Sequence, residues 1–381
     1  MPSEFRYTVQ AGDSLSKIAE KTLGDPKRWP EIGILNGIAD PSKLSVGMVL
    51  RIPVGEQGPL EVAPLLGNVK QKVTREGVKF TQEQDNIFAT WLKQARKEAV
   101  GVAYQKGLYR RGTQTPQSFI AEARSLLAGL RLSNSEMRAI AAAAENEGYL
   151  DAVNTWDSQY LSFGMFQWTA GSPELPGELG ELLTQLKRRS PEEFQHYFQQ
   201  FGLDVDGTDG VRGWLSLHGT RLISDYQKTI LRQPIWAYRF AIAGSDPMVQ
   251  AAEVLHAVTR LDTFYFVKQS SLDGYSLSRL ITSELGVALL LDNHINRPAY
   301  VAPGLAEAMW QLGLAPQDLA QASTAEEQRV LDRYLKVRET YGTKPMTHAK
   351  TRGDRIRRQV AAGNLSNQRG SFVSNRALRR G

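Results

Sequence analysis

The chain has 381 residues, 41% of them hydrophobic, enough for two or three domains with sizeable cores and too apolar for disorder to be the default. Cysteine is absent, which excludes disulfides, thiolate metal sites and a thiol nucleophile. The formal net charge of +6 is unevenly spread: from Met346 onward nine Lys or Arg face one Asp, so the chain before that point is close to neutral.

In chain order, Tyr7-Thr-Val begins a short strand, Gly12 a turn, and Asp13 or Ser14 caps a first helix. Arg28 to Gly37 predicts a second helix ended by Asn-Gly, and Val49-Leu-Arg-Ile-Pro53 a closing strand. This βααβ module, residues 1–53, resembles LysM domains through Tyr7-Thr-Val, Gly12-Asp13-Ser14-Leu15, Asn36, Leu44 and Leu50-Arg-Ile-Pro53. The resemblance implies a groove for N-acetylglucosamine chains at Gly12, Asp13, Ser14, Leu15, Asn36, Ile38 and Leu44. It is also similar to LysM domains of phage tails and contractile injection systems, which clamp baseplate, tube or spike proteins, so glycan and protein both stand as partners.

Residues 54–80 carry Gly and Pro without periodicity and read as a linker. From Thr81 the pattern reads as helical: Phe88, Trp91, Leu92 and Ala95 share one helix face, then Phe119, Leu126, Leu127 and Leu130 a second. Ser133 with Glu136 forms a capping box ahead of an alanine-rich helix that Gly148 is expected to stop. Glu145 and Glu147 then fall in its last turn, where the negative end of the helix dipole and apolar neighbours raise a carboxyl pKa. A glutamic acid that keeps its proton is what glycoside cleavage needs, because the leaving oxygen must receive one. Asp151 and Asp157 are candidates for the second carboxylate, and Glu145 is the alternative acid.

Glu147-Gly-Tyr-Leu-Asp-Ala followed by Ser162-Phe-Gly-Met-Phe-Gln167 resembles the lysozyme-like superfamily, especially soluble lytic transglycosylases and goose-type lysozymes. That resemblance implies Glu147 as general acid. It also implies a groove lined by Phe163, Gly164, Met165, Phe166, Gln167 and Trp168, with Asn154 and Thr155 beside it. Gly148 stands where transglycosylases carry Ser, which leaves hydrolysis, lytic transglycosylation and a chitosanase-like activity open. Such an enzyme takes no cofactor, since acid catalysis with sugar distortion suffices.

Leu179 to Lys187 and Pro191 to Phe201 predict further helices. Asp204-Val-Asp-Gly-Thr-Asp-Gly210 alternates carboxylates, but Leu215 stands where an EF-hand needs its bidentate Glu, so it reads as a tight turn. The five histidines show no zinc-binding spacing, and no metal is expected. Residues 276–298 predict an amphipathic, then buried helix ending in Asp292-Asn-His-Ile-Asn296. That helix resembles the late helix of phage-type lysozymes and chitosanases, whose Asp and Asn support the cleft; His294 reads as a structural hydrogen-bonder.

The whole is an α+β protein: a LysM module (1–53), a linker (54–80), a mostly helical lysozyme-like domain (81–345) and a basic, flexible tail (346–381). The tail lacks interleaved aromatics, so sequence-specific nucleic-acid binding is not expected. The longest apolar run, Leu285 to Leu291, is too short to span a bilayer, and the N-terminus lacks the apolar core of an export signal. The expected partner is peptidoglycan, reached through lysis or by delivery on a phage tail or contractile injection particle. The rival expectation is a non-catalytic baseplate or cap adaptor.

Overall fold

The computed structural model describes residues 4–23, 26–38, 40–53, 59–60, 73–74, 78–91, 96–343 and 345–380. The chain forms two compact units, each built from two stretches: Met1–Thr113 with Leu150–Val249, and Gln114–Tyr149 with Gln250–Gly381.

In the first unit, β1 (Glu4–Thr8) pairs antiparallel with β2 (Val49–Pro53), and between them lie α1 (Leu15–Leu23) and α2 (Trp29–Leu35). Ile18, Ala19, Ile32 and Ile52 close its small core at zero exposure. Ser14 caps α1 through the Lys17 amide (3.3 Å), while Asp13 holds the turn by accepting from Gln10 N and the Tyr7 hydroxyl, both at 2.8 Å. Asn36 ends α2, and Gly37 takes the left-handed φ of +67° that its lack of a Cβ allows. The module packs by α2 on the rest of the unit: Thr220 Oγ1 donates to Ile34 O at 3.2 Å, and the Trp29 and Tyr226 rings lie 5.3 Å apart.

The helix expected from Thr81 is instead sheet. β3 (Val78–Glu83), β4 (Asn86–Trp91), β5 (Lys97–Tyr104), β6 (Gly107–Arg110), β7 (Val153–Asn154), β8 (Ser162–Phe163) and β9 (Trp168–Thr169) form one antiparallel sheet in sequence order. The buried set on β4 is Ile87, Ala89 and Trp91, a period of two, with Phe88 on the opposite face. Leu92 and Ala95 lie outside the described residues, as does most of the expected linker. Asp204 to Thr208 is strand rather than turn: β10 (Leu203–Thr208) pairs with β11 (Gly213–Leu217), and the turn comes at Asp209, whose carboxylate accepts from the amides of Val211 and Arg212. The expected helices at 179–187 and 191–201 appear as Glu178–Arg189 and Pro191–Tyr197.

In the second unit, α3 (Asn134–Ala144) starts with the expected capping box between Ser133 and Glu136. It packs on α4 (Glu284–Asn296), whose first eleven residues are all buried. α5 (Thr324–Thr340) and α6 (Ala349–Ala361) complete the bundle. The basic tail is therefore folded, contrary to expectation, and its arginines reach carboxylates far away in sequence. Arg369 Nη1 meets Glu327 at 2.8 Å, Arg376 Nε meets Asp262 at 2.5 Å, and Arg379 straddles the fully buried Glu136 at 2.7 and 2.8 Å. Among the described residues no helix is long and apolar enough to cross a membrane.

Candidate functional site

α3 stops at Ala144, four residues before Gly148, so Glu145 is the C-cap and Glu147 lies in the turn beyond. Glu145 is exposed, with its carboxylate accepting from Gln359 at 2.6 Å. Glu147 is half-buried. Its Oε1 accepts from Asn296 Nδ2 at 2.8 Å and from the Arg352 guanidinium of α6, which sequence reasoning had placed in the flexible tail. Arg352 is shared: it also donates to Asp292 Oδ1 at 2.6 Å. Asp292 is fully buried, and its Oδ2 takes Arg338 at 2.9 Å. Burial pushes the Glu147 carboxyl above its ordinary value, with the nearby Asp292 charge adding to the rise; Arg352 and Asn296 oppose it without reversing it. Among the described residues the second oxygen of Glu147 has no hydrogen-bond partner.

The late helix thus puts Asp292 and Asn296 beside Glu147. His294 stacks on Phe264 at 4.0 Å and accepts from Arg260 Nε at 3.2 Å, a structural hydrogen-bonder as expected.

Asp151, Asp157 and the segment 162–168 belong to the first unit. Asp151 is fully buried; its carboxylate takes the Thr113 amide at 2.6 Å and Arg110 at 3.2 Å, so it anchors backbone and presents no face to a substrate. Asp157 is half-buried, and its Oδ1 accepts from the Gln159 amide at 2.8 Å. Arg232 fixes that stretch by donating to Thr155 O at 2.7 Å and Asp157 O at 2.6 Å.

Several expected groove residues are core. Phe163 and Met165 have no exposure, Phe166 and Trp168 have 6% and 2%, and the Phe163 ring lies 5.2 Å from Phe240. Phe163 packs on Phe240 of the helix Pro234–Ala243, and β9, with Trp168, packs on the helix Glu178–Arg189. Thr155 is buried as well, with Oγ1 accepting from the Leu108 amide at 2.9 Å. Gly164 and Gln167 bracket a tight turn in left-handed conformations, φ +78° and +52°, and Gln167 Nε2 bonds back to Gly164 O at 2.8 Å. Asn154 and Gln167 are half-buried.

The loop after β9 is organised by Lys228, which sequence reasoning did not single out. Its side chain is buried, and Nζ donates to the carbonyls of Ala170, Gly171, Ser172 and Leu175 at 3.1, 3.1, 2.7 and 2.7 Å. Among the described residues no group of carboxylates or imidazoles converges as a metal site.

On the N-terminal module, Gly12 and Ser14 are exposed, and Asp13 and Leu44 half-buried. Hydrogen bonds from Gln10 and Lys21 hold the Asp13 carboxyl down at about 2. Leu15 and Ile38 are core, and Asn36 is a brace: Nδ2 donates to Ile32 O and Arg51 O at 2.8 and 2.6 Å, and Oδ1 accepts from Arg51 N at 2.7 Å. Those three are framework rather than groove wall. Residues 7–53 match the family model of the LysM domain. This module is a LysM domain. The same region is 51% identical over 55 residues to an esterase of Mycobacterium tuberculosis, covering 14% of this chain and 12% of the esterase. It is 49% identical over 47 residues to an uncharacterized protein of Deinococcus radiodurans, covering 12% of this chain and 19% of that one. The chain therefore spans less than a fifth of either relative, and the similarity stops with LysM. No solved structure matches the chain. LysM gives the protein a peptidoglycan-binding part, with its first-turn edge open and its α2 face packed on its own unit.

Proposed function

We propose that the protein binds peptidoglycan through LysM and cleaves its glycan strand, with Glu147 as general acid. The observation that carries this reading is the Glu147 carboxyl: raised by burial, held at one oxygen by Arg352 and Asn296, and open at the other. The open oxygen carries the proton to the glycosidic oxygen as the bond from that oxygen to the anomeric carbon breaks, with the bonding pair leaving on oxygen. The carboxylate left behind is then stabilised by the two donors already in place. Either a water or the sugar's own 6-hydroxyl captures the oxocarbenium ion and returns a proton to Glu147, giving hydrolysis or lytic transglycosylation.

The ion pair itself favours a second reading. An arginine on a carboxylate is an ordinary way to hold a helix end, and in that case the protein binds wall without cutting it, as an adaptor would. Incubating wild type, Glu147→Gln and Glu145→Gln with insoluble peptidoglycan, and weighing the released fragments, separates the two. Disaccharide peptides released by wild type and Glu145→Gln but not by Glu147→Gln support catalysis, and an anhydro end identifies the transglycosylase. Wild type that pellets with wall and releases nothing supports the adaptor.

A further inference from the structure

We infer that the outer face of the seven-stranded sheet is a second glycan-binding surface, a platform of Tyr104, Tyr109 and Trp156 that takes the pyranose rings of an N-acetylated amino-sugar chain. The inference rests on the reading that the protein engages glycan, and not on Glu147 as a catalyst.

Residues paired across antiparallel strands share a face. Val102 on β5 stands opposite Tyr109 on β6, Tyr109 opposite Asn154 on β7, and Asn154 opposite Ser162 on β8. This row is uncharged and runs from apolar to polar. At its apolar end Val102, Tyr104 and Tyr109 are 42, 50 and 45% exposed, large side chains that the fold leaves in water. Tyr104 meets the half-buried Trp156 edge to face, with ring centroids 4.9 Å apart.

That corner depends on Gly107, which pairs with Tyr104 across the β5–β6 hairpin. A Cβ on Gly107 would come within 2.3 Å of Thr155 O, so the missing side chain is what lets the stretch carrying Trp156 cross beside the strand. Arg232 then pins that stretch from its backbone side through Thr155 O and Asp157 O. The rings are thus preorganised on backbone that is itself tied down.

The second observation is Asn154, whose half-buried side chain stands opposite Tyr109 in this row. A pyranose supplies both halves of the match at once, an apolar C–H face for the rings and hydroxyl or acetamido groups for the amide. A protein partner would favour an uninterrupted apolar patch, which the half-buried Asn154 breaks. The LysM domain of the same compact unit already commits the protein to carbohydrate.

The test uses full-length Glu147→Gln protein, so that cleavage does not intrude, titrated with the N-acetylglucosamine hexamer. Affinity is read by calorimetry and local protection by hydrogen exchange. The expected result is protection at 101–110 and 153–158 in addition to LysM. Tyr104→Ala with Tyr109→Ala should weaken platform binding about tenfold or more, an aromatic contact at each ring contributing. Both residues are surface-exposed, and an unchanged thermal melt keeps the loss attributable to binding. Protection confined to LysM, or an affinity indifferent to the double substitution, overturns the platform. If wild type releases no wall fragments while 101–110 and 153–158 are protected, the catalytic reading falls and the platform stands.

Discussion

Replacing Lys228 with Met isolates one ammonium group at the centre of the loop after β9. The apolar stem is kept, and only the charge and its three N–H donors go. Four carbonyls at 2.7–3.1 Å lose their donor inside the protein. A buried polar group left unsatisfied costs about 1–3 kcal/mol. Four carbonyls share three protons, and the variant no longer has to bury an ammonium, which works in the opposite direction. The net expectation is a loss of about 3 kcal/mol. Urea unfolding followed by tryptophan fluorescence reads it, and limited proteolysis at 170–176 shows whether the loop is what loosens. A change below about 0.5 kcal/mol would refute the reasoning, since it would mean that ammonium burial cancels the bonds it makes. A pH series adds a signed check. Burial pushes the Lys228 amine down to about 8 from an ordinary 10.5. Between those values the unfolded chain holds more protons, so this group's contribution to stability rises with pH across that window and is lost as pH falls through 8. The Met variant should lack that rise.

Asn36→Ala removes three bonds that tie the end of α2 to β2, and it should lower LysM stability by about 2 kcal/mol, read as a lower melting temperature with weaker pelleting on wall. Arg352→Met leaves the buried Asp292 with Arg338 as its remaining cation and is expected to cost about 3 kcal/mol in denaturant titration; adding Asp292→Leu should deepen that loss, because the buried Arg338 is then left without its carboxylate. Arg379→Ala should cost a similar ~3 kcal/mol, since Glu136 is fully buried beneath it. Where fragment release is measured against pH, it should fall on the alkaline side of a carboxyl raised above 4.5, because the acid must enter protonated.

The LysM module was legible because its signals are local: a cap at Ser14, Asn-Gly after the second helix, and strands five residues long. The Ser133 capping box was legible for the same reason. The sheet was not. Phe88 and Trp91, three apart, imitate one face of a helix, whereas the period that burial obeys runs through Ile87, Ala89 and Trp91. Aromatic residues on both faces of a strand hide its alternation. The tail was misread because counting charge along the chain takes no account of partners. Arg352, Arg369, Arg376 and Arg379 answer carboxylates from 42 to 243 residues away, and none of those pairings leaves a mark in local composition. Of the candidate site, Glu147 was legible as a residue but not in its surroundings, and the groove segment was read as surface because a Phe-Gly-Met-Phe run looks alike in a wall or in a core.

The two-stretch make-up of each unit also shapes how the protein emerges during synthesis. α3 is complete once Ala144 is added, yet its distant partners arrive only with Glu284, Arg352 and Arg379. At typical elongation rates that is a delay on the order of tens of seconds. Until Glu284–Asn296 arrives, an alanine-rich helix carrying the buried Glu136 has only the short helix Pro116–Glu122 of its own unit beside it. The first unit, whose last stretch ends at Val249, is free to close well before. A ribosome stalled between 250 and 350 should therefore display one protease-resistant half and one helix still waiting, and a chain cut short of Arg379 never releases a finished second unit.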